Sequence, residues 1–283
     1  MSDDGTWLRS RWLVAAALAA AVALGIVGWR AARNASRGYS STRGARVERF
    51  TLHSRVLHRD LHDVLVVPKG AGAGRALLVF LHGRSSPAAS NLTQQLFDTL
   101  HALGPRAPVV FLPDGGDHSY WHDRRDGAWG REVLTEAIPT ALSRARADKS
   151  RVAIGGISMG GFGALNLARL RPTRFCAVGA HSAALWYSGG ATAPGAFDDA
   201  EDFARNDLLG LARHHPPGPD YLAPVWIDVG RDDPFAAADE ALARDLKAHH
   251  DNVTFHLHGG GHGGWAARMP TYLRWYAARL ASC

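Results

Sequence analysis

Ser158 lies in Gly156-Ile157-Ser158-Met159-Gly160, and a serine framed in this way is a candidate nucleophile. Its hydroxyl is weak at neutral pH and needs a base, which in turn needs an acid to orient it. Both residue types follow in the chain. Gly230-Arg231-Asp232-Asp233-Pro234 supplies two carboxylates, and Gly259-Gly260-Gly261-His262-Gly263-Gly264 supplies an imidazole set between glycine pairs. Little side-chain bulk near His262 would obstruct its approach to Ser158. Asp233 is preferred to Asp232 as the acid, because the Gly-x-x-Asp spacing leaves the turn room to aim it at the imidazole. The chemistry such a set performs is attack on a carbonyl carbon through a covalent acyl intermediate.

The elements around these residues give the short motifs their weight. Arg151 to Gly155 is short, β-branched and bounded by charge, as a buried strand should be, and Gly161 to Leu170 reads as a helix packed closely on a sheet. A serine at the sharp bend between them is strained, and a Cβ at either flanking glycine would strike the adjoining strand or helix. The helix N-terminus there offers unpaired N–H groups to a developing oxyanion. One donor would be the Met159 amide. The second would come from the loop His82-Gly83-Arg84 after the apolar run Ala76 to Leu81, most directly the Arg84 amide.

Further strand candidates are Val47 to Leu52 and His62 to Pro68 as an antiparallel pair, then Pro108 to Pro113, Phe175 to Ala180, Val225 to Val229 and Val253 to His258. Amphipathic stretches alternate with them at Asn91 to Ala102, Trp129 to Ala147, Phe235 to His249 and Gly264 to Ala281. The alternation predicts βαβ units: a mostly parallel central sheet with helices on both faces. The polar, helix-capable stretch from Asp198 to Pro217 reads as an insertion over the site. Candidate residues then fall at strand carboxyl ends, in the order Ser, Asp, His expected of α/β-hydrolases.

Length and composition, 283 residues with 46% hydrophobic, allow a full core in one large domain. Seven arginines against two aspartates precede Val47, so five of the six net positive charges lie there. The remainder is nearly neutral, which argues against nucleic-acid binding by the folded part. Trp12 to Trp29 is 18 residues without a charge, flanked by arginines. As a helix it would span about 27 Å, near the thickness of a hydrocarbon core. The organisation expected is a tail at 1–11, a transmembrane anchor or uncleaved signal at 12–29, a linker at 30–46 and the α/β-hydrolase domain at 47–283. A cleaved signal peptide and a soluble helix are the alternatives for 12–29. Export of the domain to the periplasm or cell surface is expected from a single N-terminal anchor, with secretion as the alternative. Of the two cysteines, Cys176 reads as a buried free thiol in an apolar strand and Cys283 as a frayed terminus, which disfavours a bridge between them.

Four segments together carry a family resemblance: Ser54 to Pro68, the strand ending Leu81-His82-Gly83, Thr135-Glu136-Ala137-Ile138-Pro139, and Gly155 to Leu165. They resemble the "Putative esterase" family of α/β-hydrolases, which includes S-formylglutathione hydrolases, enterochelin esterases and antigen-85 mycolyltransferases. The resemblance covers Val47 to the C-terminus. It implies Ser158, Asp233 and His262 as nucleophile, acid and base, with Met159 and Arg84 as oxyanion donors, and it implies no cofactor or metal. The loop Arg84-Ser85-Ser86-Pro87 departs from the patterns of the best-known members. Small-molecule or lipid esters are the substrates expected. Acyl transfer to a sugar or lipid alcohol, thioester cleavage, and a non-catalytic membrane-tethered binding domain are the alternatives.

Other motifs carry less. His118 and His122 have the i, i+4 spacing of a zinc helix but lack its glutamate and follow a turn. His256 and His258 alternate on the last strand and read as ordinary strand side chains. The pairs His214-His215 and His249-His250 read as solvated. Tyr120, Trp121, Trp186 and Trp265 lie on candidate rim loops, as packing or as walls of a pocket.

Overall fold

A computed structural model describes residues 38–214, 216 and 218–283. The expected span at 12–29 lies outside the described residues, and among those described no helix is long and apolar enough to cross a membrane.

The sheet has eight strands: β1 (Arg46–Ser54), β2 (Arg59–Val67), β3 (Leu77–Leu81), β4 (Val109–Leu112), β5 (Val152–Ile157), β6 (Val178–His181), β7 (Val225–Gly230) and β8 (Val253–His258). Their order is β1-β2-β4-β3-β5-β6-β7-β8. β2 is antiparallel to both β1 and β4, and every other pairing is parallel. After β3 the chain crosses to β4 on one side, whereas after β5 it moves to β6 on the other. The crevice between the carboxyl ends of β3 and β5 is therefore the topological switch point, where such sheets bind ligands.

Strand residues alternate between two cores. Leu77, Val79 and Leu81 face one, shared with Phe162, Leu165 and Leu242; Leu78 and Phe80 face the other, shared with Phe97, Leu100, Leu273 and Tyr276. Both faces are thus covered by helices, which is why the central strands read as continuous apolar runs instead of alternating ones. The helices are α1 (Gln94–Leu103), α2 (129–145), α3 (Met159–Leu170), α4 (Ala200–Asn206), α5 (Leu208–Arg213), α6 (Ala236–Ala248) and α7 (Trp265–Ala281). α2 widens to a π-helix at Val133–Ala137, just before Pro139, which has no N–H to give the preceding turn. The stretch expected as an insertion forms α4 and α5. It is held to the body by Asn166–Asn206 and by the buried pair His122–Asp202, with the α4 side beside α3.

The cysteines depart from expectation. Cys176 and Cys283 form a disulfide, with their Cα atoms 5.8 Å apart. β6 begins only at Val178, so Cys176 is in the approach to the strand, half-buried, and not in the core. The 17 residues of α7 start at the strand carboxyl ends and, at about 1.5 Å each, return the chain to the amino ends where Cys176 waits. One other reading changes: His249, read as solvated, is paired with Asp220 at 2.9 Å. His122 is buried against Asp202 at 3.0 Å.

Candidate active site

β5 ends at Ile157 and α3 begins at Met159, so Ser158 alone makes the turn, with φ 55° and ψ −115°. Few L-residues adopt such a backbone, and this one is over-determined by its surroundings. Its N–H donates to the His181 carbonyl on β6 at 2.9 Å, and its own carbonyl accepts from Phe162 and Ala184, both at 3.1 Å. The flanking glycines permit the close approach. A Cβ on Gly156 would lie 2.5 Å from the Gly160 backbone, and one on Gly160 would lie 2.3 Å from the Leu81 carbonyl oxygen.

Loops after β7 and β8 complete the set. His262 Nε2 lies 2.9 Å from Ser158 Oγ, and His262 Nδ1 lies 2.8 Å from Asp233 Oδ2. Asp233 is buried, and its other oxygen accepts from the Phe235 N–H at 2.9 Å. Asp232, the alternative acid, is exposed and contributes its backbone: the Asp232 N–H donates to the Gly260 carbonyl at 3.0 Å. That bond and Arg231 N–H to the His258 carbonyl, at 2.8 Å, join the acid loop to the base loop.

Met159 and Arg84, expected as oxyanion donors, lie respectively next to Ser158 in the chain and on the loop that packs against it. Met159 opens α3, so its N–H has no carbonyl one turn back to meet. Gly83 packs against the elbow, where an added Cβ would stand 3.6 Å from Ser158 Cβ. The next residue, Arg84, presents an amide that no protein group among the described residues accepts. Its loop is fixed by Ser85 N–H to the Asp117 carbonyl at 2.9 Å and by Trp121 Nε1–H to the His82 carbonyl at 3.3 Å. His82, fully buried, accepts from the Gly115 N–H at 3.0 Å, and burial holds its pKa below the usual value, in keeping with a neutral ring.

Behind the set is a polar network that the sequence pattern concealed. Arg268, on α7, donates to the carbonyls of Gly263 at 2.7 Å and Gly259 at 3.3 Å, clamping both ends of the base loop. It also donates to His258 Nδ1 at 2.7 Å. His258 Nδ1 lies 3.0 Å from the Gly259 carbonyl as well, and its Nε2 faces Asp228 Oδ2 at 3.4 Å. Asp228 further accepts from Tyr272 at 2.7 Å and Trp226 at 2.9 Å, and meets His181 Nδ1 at 2.5 Å. Burial alone would raise the Asp228 carboxyl, but His181 and these donors outweigh it and hold it below the ordinary carboxylate range. His181 is the residue whose carbonyl holds Ser158, and its Nε2 lies 3.1 Å from the Tyr276 hydroxyl. That hydroxyl fits only because Gly155 and Gly179 lack side chains; a Cβ on either would come within 1.8 Å of it. Asp239, fully buried nearby, is pushed well above the carboxylate range by burial, then by the charges of Asp233 and Asp228.

Of the aromatic residues expected at the rim, Tyr120 and Trp121 are buried packing, while Trp186 and Trp265 are half-buried. Ring centroids run from His262 to Phe235 at 5.3 Å, on to Trp186 at 5.4 Å and to Tyr120 at 5.5 Å. Trp265 also lies edge-on to the imidazole, at 5.1 Å. Among the described residues there is no cluster of three or more side chains suited to hold a metal ion.

Residues 54–275 match the family model Esterase, described as "Putative esterase". No curated protein matches the chain. Solved structures do. A ferulic acid esterase superposes with a TM-score of 0.71 at 21% identity, over 83% of this chain and 98% of the other. S-formylglutathione hydrolase from Agrobacterium tumefaciens gives 0.69 at 22%, over 84% and 96%. A fluorophosphonate-binding serine hydrolase of Staphylococcus aureus gives 0.63 at 17%, over 82% and 98%. At these identities the structures speak to the shared fold.

Proposed function

The chain belongs to the Esterase family, and on that premise we propose that it is a serine carboxylic-ester hydrolase working through an acyl-enzyme. One observation carries the reading: two hydrogen bonds in series, Asp233 to His262 and His262 to Ser158, converge on a serine held in an elbow. Ser158 Oγ attacks the ester carbonyl carbon while His262 Nε2 takes the hydroxyl proton. The Asp233 carboxylate holds the Nδ1–H and steadies the imidazolium. Charge on the carbonyl oxygen is met by the Met159 and Arg84 amides. Collapse of the tetrahedral intermediate expels the alcohol, which leaves with the proton from His262. Water then attacks the acyl-enzyme with His262 again as base, and the acid is released.

The His262 side chain is 29% exposed, so the acyl-enzyme stands open to water, which favours hydrolysis over transfer to a sugar or lipid alcohol. A non-catalytic binding domain has no need of three reactive groups on three convergent loops. The Cys176–Cys283 disulfide supports an oxidising compartment and, with the apolar stretch at 12–29, an extracytoplasmic domain. A panel of p-nitrophenyl esters tests the activity. Turnover in the wild type that is lost in Ser158→Ala is expected, and turnover that survives the substitution would overturn the reading. Protection of the domain from protease added to intact spheroplasts would overturn the placement.

A further inference from the structure

Arg84 has a second group beside the reacting centre, its guanidinium. The residue follows Gly83, which touches Ser158, and its side chain is half-buried. The guanidinium is near enough to act electrostatically on the Tyr120 hydroxyl, and among the described residues no carboxylate pairs with it. Its neighbour Arg124 behaves differently: it is buried and neutralised by Asp198 at 3.2 Å. Asp117, whose carbonyl accepts from the Ser85 N–H, turns its carboxylate to His118 at 3.4 Å. An arginine partly withdrawn from water without a counter-ion attracts an anion, and its planar fork suits a carboxylate.

Its place relative to the triad is defined by the aromatic chain. Phe235, Trp186 and Tyr120 form a continuous row of rings from His262 toward Arg84, in which Phe235 and Trp186 are half-buried and Tyr120 is buried behind them. A ligand with its ester at Ser158 would meet the half-buried rings of Phe235 and Trp186, with the half-buried Arg84 guanidinium within its reach. We infer that Arg84 selects esters bearing a second, anionic group, a carboxylate that lies against its guanidinium while the scissile carbonyl occupies the elbow. The inference rests on the esterase reading above and names the substrate class for the same site.

Two matched pairs of esters test it. On the acyl side, p-nitrophenyl hexanoate is compared with the p-nitrophenyl monoester of adipic acid. On the alcohol side, 4-methylphenyl acetate is compared with 4-acetoxybenzoate. In at least one pair the charged member should have the higher kcat/KM, by about 10- to 100-fold, the usual worth of a charged hydrogen bond. The preference should shrink with added salt, vanish in Arg84→Met and survive in part in Arg84→Lys. Labelling of Ser158 by a phosphonate shows that each variant retains a formed elbow. Equal or better turnover of the neutral member in both pairs overturns the inference and leaves the esterase reading standing, as does a preference that persists in Arg84→Met. Absence of turnover of all four esters by the wild type overturns both.

Discussion

Gly230 and Gly260 touch through their backbones so closely that a Cβ on Gly230 would lie 2.2 Å from the Gly260 carbonyl oxygen. The loop bearing Asp233 and the loop bearing His262 thus meet where neither can yield, and their spacing sets the acid-to-base hydrogen bond. Gly230→Ala should force the loops apart and lower kcat by about 100-fold or more, the usual cost of misplacing a catalytic group by about 1 Å. Circular dichroism should show the fold retained, and kinetics close to wild type would refute the account.

The two adjacent aspartates should separate cleanly. Asp233→Asn leaves the imidazole in the wrong tautomer and should cost at least about 100-fold in kcat. Asp232→Asn alters an exposed carboxyl whose backbone makes the useful bond, so its kcat should stay within about twofold.

Arg268→Met frees the carbonyls of Gly259 and Gly263 from their clamp and removes the contact to His258 Nδ1. The variant should lose roughly tenfold in kcat with KM little changed, because the base loop and not the binding surface loosens. A change confined to KM would argue against positioning.

Stability should fall as pH rises. Burial, then the charges of Asp63, Glu136 and Asp114, push Glu132 from 4.5 up to about 9; burial likewise pushes Asp63 from 3.8 up to about 7. Between about pH 4 and 9 the folded chain therefore holds protons that the unfolded chain has released, and linkage makes it progressively less stable over that window. Glu132→Gln should flatten the fall and raise Tm over wild type by about 5 °C or more at pH 9. Parallel melting curves for the two proteins would contradict it.

Cleaving the Cys176–Cys283 bridge releases a long loop in the unfolded chain, the partners being separated by 107 positions. The double serine variant, or wild type in reductant, should lose about 2–4 kcal/mol, or about 5–15 °C in Tm. Activity at 25 °C should persist, since the bridge lies at the end of the sheet away from Ser158.

Local features were the ones written plainly in the chain. The elbow was legible because strand, serine and helix are contiguous and its glycines answer a local steric demand. The mostly parallel sheet and the converging loops followed from alternation and from chain order. The disulfide was hidden because only the return path of α7 brings residues 176 and 283 together. The support network was hidden for a different reason: Asp228, His258 and Arg268 sit in segments whose pattern is satisfied by treating each as a solvent-facing or ordinary side chain. Glu132 and Asp239, charged letters on amphipathic helices, read as surface yet are buried. Periodicity reports which face of a helix is apolar, not which polar side chain the fold will enclose.

Helix α7 begins at the loop that carries His262 and ends at the covalently fastened Cys283, with Arg268, Tyr272 and Tyr276 along its length. The carboxyl terminus therefore emerges on the side of the molecule remote from the mouth. A tag, a resin or a fusion partner joined after Cys283 would leave the catalytic crevice facing outward, and the bridge would hold the attachment point rigid against the body.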